Sequence, residues 1–385
     1  MKTYILSLIL LFAGQTLFAA SIPPASIIPY DNVGGKIIIS AVVNGESGRF
    51  IFDTGAGPNV LSQLFAKKIG GQPIGKSQVM DSNKKSASID HMVVDSIVLS
   101  DQKFFNSKTI IADNLIFDCF EVDGILGIDM FRDMAIQLDG SSNSLSIAPE
   151  IKEFNTKNAQ VFPISFMSTG EYLPYIKIEV MIGAKAFPVE ALFDLGFDGM
   201  VEFSQRDFEM IKKKSRKMSV QASLSSSSVG FNGKAEAQRQ YRFVSDGLKL
   251  GEQKTNGFVA VTTSNDFTMI GSELLTLRKV IIDLKQKKFY LIDNGGKDFL
   301  DSKSWPISPS VSDGKLVVGS IWDTNLGDFE IGDQIMKIND KDYEDGIDIC
   351  SIITRRDTLL RNGKRAVVII KNKAGKIVSF EMVKK

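Results

Sequence analysis

The chain has 385 residues, of which 46 are lysine or arginine and 45 are aspartate or glutamate. This balanced charge gives no reason to expect a nucleic acid or an anionic membrane as a partner. One histidine and two cysteines are too few for the four Cys/His ligands of a structural zinc site. We expect no cofactor and no metal, although a site built from carboxylates and carbonyls alone stays open.

The first twenty residues have the layout of a secretory signal peptide. Lys2 is followed by an apolar run from Tyr4 to Ala13 and then by small residues at Ala19 and Ala20. The apolar run is too short to cross a bilayer, and no later stretch is long and apolar enough to be a membrane helix. The sequence therefore predicts a signal peptide at residues 1–20 and export, either to the periplasm or as a secreted protein.

The rest of the chain carries an internal repeat. The segment IIISAVVNGESGRFIFDTGAG follows Lys36, and the segment IKIEVMIGAKAFPVEALFDLGFD follows Tyr175. Each segment begins with an alternating strand, continues through a glycine-containing turn, and ends with an apolar strand that runs into Phe-Asp-x-Gly. The pattern predicts two hairpins whose second strands end at Asp53 and Asp194.

The repeat continues beyond the two aspartates. Ser62 and Ser204 each begin a helical pattern, and serine is a favourable N-cap. Further along, Ile-Leu-Gly ending at Gly127 matches Met-Ile-Gly ending at Gly271, and these glycines follow their aspartates by 74 and 77 residues. The matched order predicts two similar β-rich lobes.

A different pattern begins after the second copy. The segments LVVGSIW, GDFEIGDQIMKIND, RAVVIIKN and KIVSFEMV, with a helical pattern before the last two, predict a compact α/β module. The predicted organisation is a signal peptide (1–20), lobe one (21–150), lobe two (160–297) and the C-terminal module (300–385).

Two hairpins that each deliver an aspartate to a glycine turn indicate a shared carboxylate site. Two carboxyls held close together tend to hold one proton between them. The ionised member can then take a proton from water while the protonated member donates one to a carbonyl oxygen. Gly55 and Gly196 are expected to let the backbone turn sharply beside the acids, because glycine has no Cβ.

At these residues the chain resembles a known family. Phe-Asp-Thr-Gly-Ala from Phe52 resembles the catalytic loop of the retropepsin and pepsin families of aspartic peptidases, and Ile-Leu-Gly resembles the apolar segment beside that loop. The second copy, with Asp-Leu-Gly, is similar but divergent. The resemblance implies a mainly β, bilobal pepsin-like fold with two β-barrel lobes and a peptide or protein substrate in the cleft between them. It implies catalytic roles for Asp53 and Asp194 and supporting roles for Thr54, Gly55, Gly196, Gly127 and Gly271.

The sequence also departs from the family's pattern. Leu195 stands where the family has Thr or Ser, and a leucine cannot make the cross-loop hydrogen bond, which contributes about 1 kcal/mol. The expected flap of lobe one, between Gly71 and Asp95, has no tyrosine. Ala56 and Phe197 offer no side-chain hydrogen bond to the ionised pair, which predicts a less acidic pH optimum than that of pepsin-like enzymes.

The C-terminal module resembles a PDZ domain of the kind attached to bacterial proteases. The segment from Gly327 to Asp340 carries the resemblance, with Gly-Asp followed by an apolar strand and a turn. PDZ domains bind extended peptides, often C-termini, by strand addition. The resemblance implies a peptide C-terminus as a second ligand, with its binding residues unassigned. The alternative is a module that only packs on the lobes.

Three functional hypotheses follow. The leading hypothesis is an exported, monomeric aspartic endopeptidase. The second is a catalytically decayed member of this fold that binds peptides, which Leu195 favours and the retained Asp and Gly residues oppose. The third is a carbohydrate-active enzyme with paired carboxylates, which the Asp-Thr-Gly context fits less well.

The remaining reactive or unusual residues lie outside these patterns. His91 is in no recognisable catalytic motif and is interpreted as a surface or strand residue. Cys119 and Cys350 could pair, but they fall in different modules, so we expect two separate buried thiols. The serine run Ser223–Ser228 predicts a mobile loop tip.

Overall fold

Strands make up most of the computed structural model. It describes residues 25–80, 86–167, 170–215, 218–225, 229–230, 233–234, 237–263, 265–294, 303–360 and 363–385. The predicted signal peptide lies outside these ranges. Within them, no helix has the length and apolar character needed to cross a membrane.

Lobe one is built on an eight-stranded sheet. Its elements, with the first strand of a second sheet before them, are β1 (Ser26–Pro29), β2 (Asp31–Val33), β3 (Lys36–Val43), β4 (Glu46–Asp53), β5 (Asn59–Leu61), α1 (Gln63–Lys68), β6 (Gly75–Met80), β7 (Ser86–Leu99), β8 (Gln102–Ile111), α2 (Leu115–Phe120) and β9 (Gly124–Gly127). The sheet order is β2-β3-β4-β9-β5-β8-β7-β6, and β3 also pairs with β7. That additional pairing closes part of the sheet into a barrel.

Lobe two repeats this plan in a nine-stranded sheet. The elements from the end of lobe one onward are a 3₁₀ turn (Ile128–Phe131), β10 (Ala135–Asp139), β11 (Ser144–Ala148), a 3₁₀ turn (Ile151–Glu153), β12 (Gln160–Pro163), β13 (Tyr175–Ile182), β14 (Lys185–Phe193), β15 (Val201–Ser204), α3 (Gln205–Lys214), β16 (Val220–Ser225), β17 (Val229–Gly230), β18 (Gly233–Lys234), β19 (Gln238–Ser245), β20 (Gly247–Leu250), β21 (Gln253–Lys254), β22 (Phe258–Thr263), β23 (Thr268–Ile270), a 3₁₀ turn (Ser272–Thr276), β24 (Arg278–Asp283) and β25 (Lys288–Asp293). The order is β16-β19-β22-β15-β23-β14-β13-β20-β21, with β17 and β18 forming a small separate hairpin.

Local sequence explains the shared plan. The turn between β3 and β4 has Asn44 and Gly45 at φ 47° and 88°, the left-handed pair that a tight hairpin requires. Ser62 and Ser204 each accept a hydrogen bond from the amide three residues onward, at 3.1 Å, and so cap α1 and α3. Each aspartate is therefore followed by a short strand and a capped helix in the same order.

A third sheet joins the two lobes. Its six strands lie in the order β1-β11-β10-β24-β25-β12, so three strands of lobe one lie beside three strands of lobe two in one layer. The antiparallel pairing of β10 with β24 brings Ile136 opposite Ile282 and Leu138 opposite Val280, and all four side chains are fully buried. This continuous apolar layer fixes the lobes against each other, and the fold is mainly β and bilobal, as predicted.

The C-terminal module forms its own sheet and core. Its elements are β26 (Ile307–Ser312), β27 (Lys315–Ile321), β28 (Gln334–Ile338), β29 (Lys341–Asp342), α4 (Ile349–Ile353), β30 (Arg365–Lys371) and β31 (Ile377–Val383). The order is β26-β27-β28-β30-β31, with β29 paired to β28. Fully buried Ile307, Leu316, Val318, Ile335 and Val368 form the centre of the module.

A disulfide attaches the C-terminal module to lobe one. Cys119 of α2 and Cys350 of α4 are bonded, with their Cα atoms 4.7 Å apart, and the expectation of two free thiols is wrong. The two cysteines are separated by 231 residues in sequence, so their spacing gave no sign of the pairing. Packing brings them together, because α4 lies on an apolar cluster of lobe one that contains Phe117 and Val60.

Lobe two contacts the same module from another side. The hydroxyl of Ser223 accepts a hydrogen bond from the Ile321 amide at 2.8 Å. The Arg242 guanidinium lies over the Trp322 ring, 4.6 Å from its centroid, and donates to the Trp305 carbonyl at 2.7 Å. The prediction of a mobile loop tip is therefore wrong for residues 223–225, which belong to β16. Residues 226–228 lie outside the described ranges.

Candidate active site

Two strand ends place the aspartates at equivalent positions. Asp53 is the last residue of β4 and lies opposite Gly127 in the parallel pairing of β4 with β9. Asp194 follows β14, and its amide donates to the Ile270 carbonyl at 2.9 Å, beside the parallel pairing of β14 with β23. Both carboxyls are thus held at the ends of buried central strands, which gives them a rigid support.

The two carboxyls meet at one backbone amide. The Gly55 amide donates to Asp53 Oδ1 at 2.8 Å. The Gly196 amide donates to Asp53 Oδ1 at 2.9 Å and also to Asp194 Oδ1 at 2.7 Å. Two oxygens that share one donor must lie close together, so the structure brings the two predicted catalytic aspartates into a single site.

The glycines beside the acids are needed for a reason that differs from the one predicted. Neither Gly55 nor Gly196 has a left-handed φ, so a sharp glycine-only turn is not what the loops require. A Cβ added at Gly55 would lie 2.2 Å from Asp194 Oδ1, and one at Gly196 would lie 2.6 Å from Asp53 Oδ2. Each glycine leaves room for the carboxyl of the opposite lobe.

Gly127 and Gly271 support the loops from behind. A Cβ on Gly127 would lie 2.4 Å from the Pro58 carbonyl oxygen, and a Cβ on Gly271 would lie 2.3 Å from that of Gly199. The Gly127 amide also donates to Asn59 Oδ1 at 3.0 Å. The structure therefore places both glycines where any side chain would displace an aspartate loop, and Asn59 is a supporting residue that the sequence analysis did not identify.

One cross-loop hydrogen-bond pair joins the two aspartate loops. The Thr54 hydroxyl is buried, donates to the Phe193 carbonyl at 2.6 Å and accepts from the Leu195 amide at 3.1 Å. Leu195 is fully buried in the hydrophobic core and has no hydroxyl with which to return these bonds. Of the residues that follow the two aspartates, only Thr54 therefore supplies a side-chain hydroxyl to the cross-loop bonds, as expected from Leu195 in the sequence.

The electrostatic environment favours a shared proton. The pKa of Asp194 is raised to about 8, mainly by burial and also by the negative charge of Asp53 and a hydrogen bond with it, while the Lys36 cation and the Gly196 amide oppose the rise. Because the two carboxyls titrate together, the raised pKa belongs to the pair. The pair therefore holds one proton at neutral pH.

Lys36 was not identified from the sequence. Its ammonium donates a hydrogen bond to the Gly196 carbonyl oxygen. When the pairing of β3 with β4 is extended by one residue, Lys36 lies opposite Asp53. When the pairing of β13 with β14 is extended in the same way by two residues, Leu173 lies opposite Asp194. The only signal in the sequence was this mismatch between two otherwise similar copies.

A second charged contact reaches the site from the C-terminal module. Arg355, just after α4, forms an ion pair with Asp198, which lies four residues after Asp194 in the same loop. Asp198 and Arg355 are both partly buried. The module thus contacts the segment that carries the second aspartate, which the sequence analysis did not anticipate.

The expected flap is a long hairpin of β6 and β7. Its tip, residues 81–85, lies outside the described ranges, and the sequence of the hairpin contains no tyrosine. His91 is a strand residue, as interpreted, since it lies on β7 opposite Gly75. Within the described residues, no three His, Cys, Asp or Glu side chains lie close enough together to hold a metal ion.

Part of lobe one is similar to a known protein family. A family model described as aspartyl protease matches residues 39–130, a range that includes Asp53 and Gly127 but not Asp194. Among solved structures, that of an aspartic proteinase from Irpex lacteus matches with a TM-score of 0.47 and 14% identity, over 70% of this chain and 97% of that one. No curated protein matches this chain significantly. With its two lobes meeting at paired Asp-x-Gly loops, the chain has an aspartic protease fold.

Proposed function

We propose that this chain is an aspartic endopeptidase that hydrolyses peptide bonds in the cleft between its lobes. The observation that carries the proposal is the Gly196 amide that binds Asp53 and Asp194 together. The retained glycines of both loops support it, because their missing side chains allow this approach.

The proposed reaction uses the pair in both of its protonation roles. The ionised carboxyl accepts a proton from a water molecule as the water oxygen bonds to the carbonyl carbon of the peptide. The protonated carboxyl donates its proton to the carbonyl oxygen, which gives a tetrahedral diol. Return of a proton to the nitrogen then breaks the carbon–nitrogen bond and releases an acid and an amine.

The raised pKa of Asp194 bears on the working pH. A pair that keeps its proton up to about pH 8 stays singly protonated at neutral pH. The proposed enzyme should therefore work nearer neutrality than pepsin-like enzymes do, as the sequence analysis expected from Ala56 and Phe197.

A direct test is cleavage of a denatured protein mixture by the chain without residues 1–20, at pH values from about 4 to about 8. New N-termini are labelled and counted by mass spectrometry, with Asp53→Asn as the matched control. New N-termini that appear with the wild type and not with the variant support the proposal. If the wild type produces none at any pH yet retains peptides, the peptide-binding alternative is favoured.

Leu195 separates the enzyme from that alternative. Leu195→Thr adds the missing cross-loop hydroxyl, so we expect cleavage to stay the same or rise. Since Leu195 is fully buried, the lost apolar volume should lower the free energy of unfolding by about 1–2 kcal/mol. Leu195→Val is the control, because valine has the shape of threonine without the hydroxyl. A threonine variant that cleaves less well than the valine variant would contradict a role for the missing hydrogen bond.

Export, the monomeric state and the nature of the C-terminal module belong to the same proposal. The Cys119–Cys350 disulfide supports export, because disulfides persist in oxidising compartments. We propose that the module is PDZ-like and able to bind a peptide C-terminus. Its docking on both lobes equally supports the narrower role of packing against them.

A further inference from the structure

A single cation from lobe one reaches the second aspartate loop. Lys36 is the first residue of β3, is half-buried, and donates from its ammonium to the Gly196 carbonyl oxygen. The same contact cannot exist in the other direction, because the equivalent residue of lobe two is the buried Leu173. The two aspartates therefore occupy equivalent strand ends, but a cation contacts only the second aspartate loop.

The backbone beside Lys36 is fixed on several sides. The Ser272 hydroxyl donates to the Gly35 carbonyl at 2.6 Å, and the Gly35 amide donates to Asn32 Oδ1 at 3.1 Å. A Cβ added at Gly35 would lie 2.6 Å from the Asp198 Cβ, so the turn is pressed against the second aspartate loop. The backbone at Lys36 is therefore held beside the second aspartate loop, within reach of the Gly196 carbonyl oxygen.

Among the charged residues that the structure describes, Lys36 is the cation that acts on the pair. Asp53 and Asp194 face it as the two carboxyls of the site. Tyr175 on β13 also interacts with Asp194, with a neutral phenol because burial raises its pKa to about 12. Arg355 is the other nearby cation, and its partner is Asp198. Asp198 in turn faces the half-buried Glu202 of β15, whose pKa is raised to about 7, mainly by desolvation.

We propose that Lys36 is a positioning residue of the carboxyl pair, which fixes the second aspartate loop through Gly196 and sets, through its charge, the pH range in which the pair holds one proton. This proposal rests on the proposed function for its effect on catalysis. A fixed positive charge favours the ionised carboxyl, so its removal must make the pair keep its proton to higher pH.

Lys36→Met removes the charge and retains most of the side-chain length, and Lys36→Arg is the matched control. In a profile of kcat/KM against pH, the alkaline limb of the methionine variant should move upward by about one pH unit, while that of the arginine variant stays in place. If Lys36 only supports the loop, the methionine variant loses activity at every pH and neither limb moves. That result would overturn the proposal.

A second measurement does not depend on catalysis. Carboxyl ¹³C shifts of aspartate-labelled protein report the titration of the pair directly, and Asp194→Asn assigns the signals. The methionine variant should titrate at higher pH than the wild type in this experiment as well. An unchanged titration overturns the proposal even if the chain cleaves peptides, whereas absent cleavage with a shifted titration overturns only the proposed function. Lys36→Gln replaces the methionine variant if the latter does not fold.

Discussion

Asp53→Asn and Asp194→Asn should each lower kcat/KM by roughly 10³-fold or more, the scale expected when general acid–base catalysis is lost. The reaction needs one ionised and one protonated carboxyl, and an amide can neither accept the proton of water nor donate one of comparable acidity. Cleavage of a labelled peptide, followed by separation of the products, measures the loss. If cleavage persists in the doubly substituted chain, the chemistry lies elsewhere in the molecule.

Asp194→Asn should also change the stability of the fold in a way that does not depend on activity. An acid whose pKa is raised from 3.8 to about 8 in the folded state binds its proton more tightly when folded. Its contribution to stability is therefore complete below pH 3.8 and is lost as the pH rises toward 8. The loss is at most about 1.4 kcal/mol per pH unit.

Asp194→Asn should remove this dependence, because asparagine stays neutral at every pH. The free energy of unfolding, measured by urea titration from pH about 4 to about 8, should fall less steeply for this variant than for the wild type. The difference between them should grow with pH and favour the variant at the alkaline end. Parallel curves would show that Asp194 is not the group that holds the proton.

The repeat made the core of this site predictable. A hairpin, an aspartate, a capped helix and a glycine segment are encoded by short-range patterns, and each pattern occurs twice in the same order. Because both copies place Asp and Gly at the end of a central strand, Asp53 and Asp194 could be paired before the structure was known. Thr54 followed from the resemblance of the first loop to a known family.

Contacts between distant segments were not predictable in this way. Lys36 reaches Gly196 across 160 residues, and Arg355 reaches Asp198 across 157. No local pattern specifies the partner of a lysine or an arginine, because such side chains are usually solvated. The close approach of the Asp194 carboxyl to Gly55 was not predicted for a related reason. The need for a glycine there becomes visible only when the opposite lobe is in place.

The disulfide is the long-range contact with the largest expected effect on stability. Cys119 and Cys350 join α2 of lobe one to α4 of the C-terminal module and close a loop of 231 residues. Removing a disulfide typically costs about 2–5 kcal/mol, mainly because the unfolded chain regains the entropy that the crosslink withheld. Replacing both cysteines with alanine should lower the free energy of unfolding by an amount in that range.

Alkylation of the unfolded chain tests the Cys119–Cys350 disulfide directly. The chain is unfolded in denaturant in the presence of iodoacetamide and without reductant, and its intact mass is then measured. No alkylation is expected before reduction, and modification of both cysteines is expected after it. Alkylation of two thiols without reductant would contradict the disulfide.

The two single cysteine variants distinguish a disulfide from two independent thiols. Cys119→Ala and Cys350→Ala each break the same bond, so each alone should cost nearly as much as the double variant, and the two effects should not add. Independent buried thiols would instead give two smaller, additive losses, because each substitution would then remove only its own packing. The urea unfolding midpoints of the two singles and the double, compared with the wild type, distinguish these outcomes. Non-additivity that disappears when reductant is added would assign the whole coupling to the bond between lobe one and the C-terminal module.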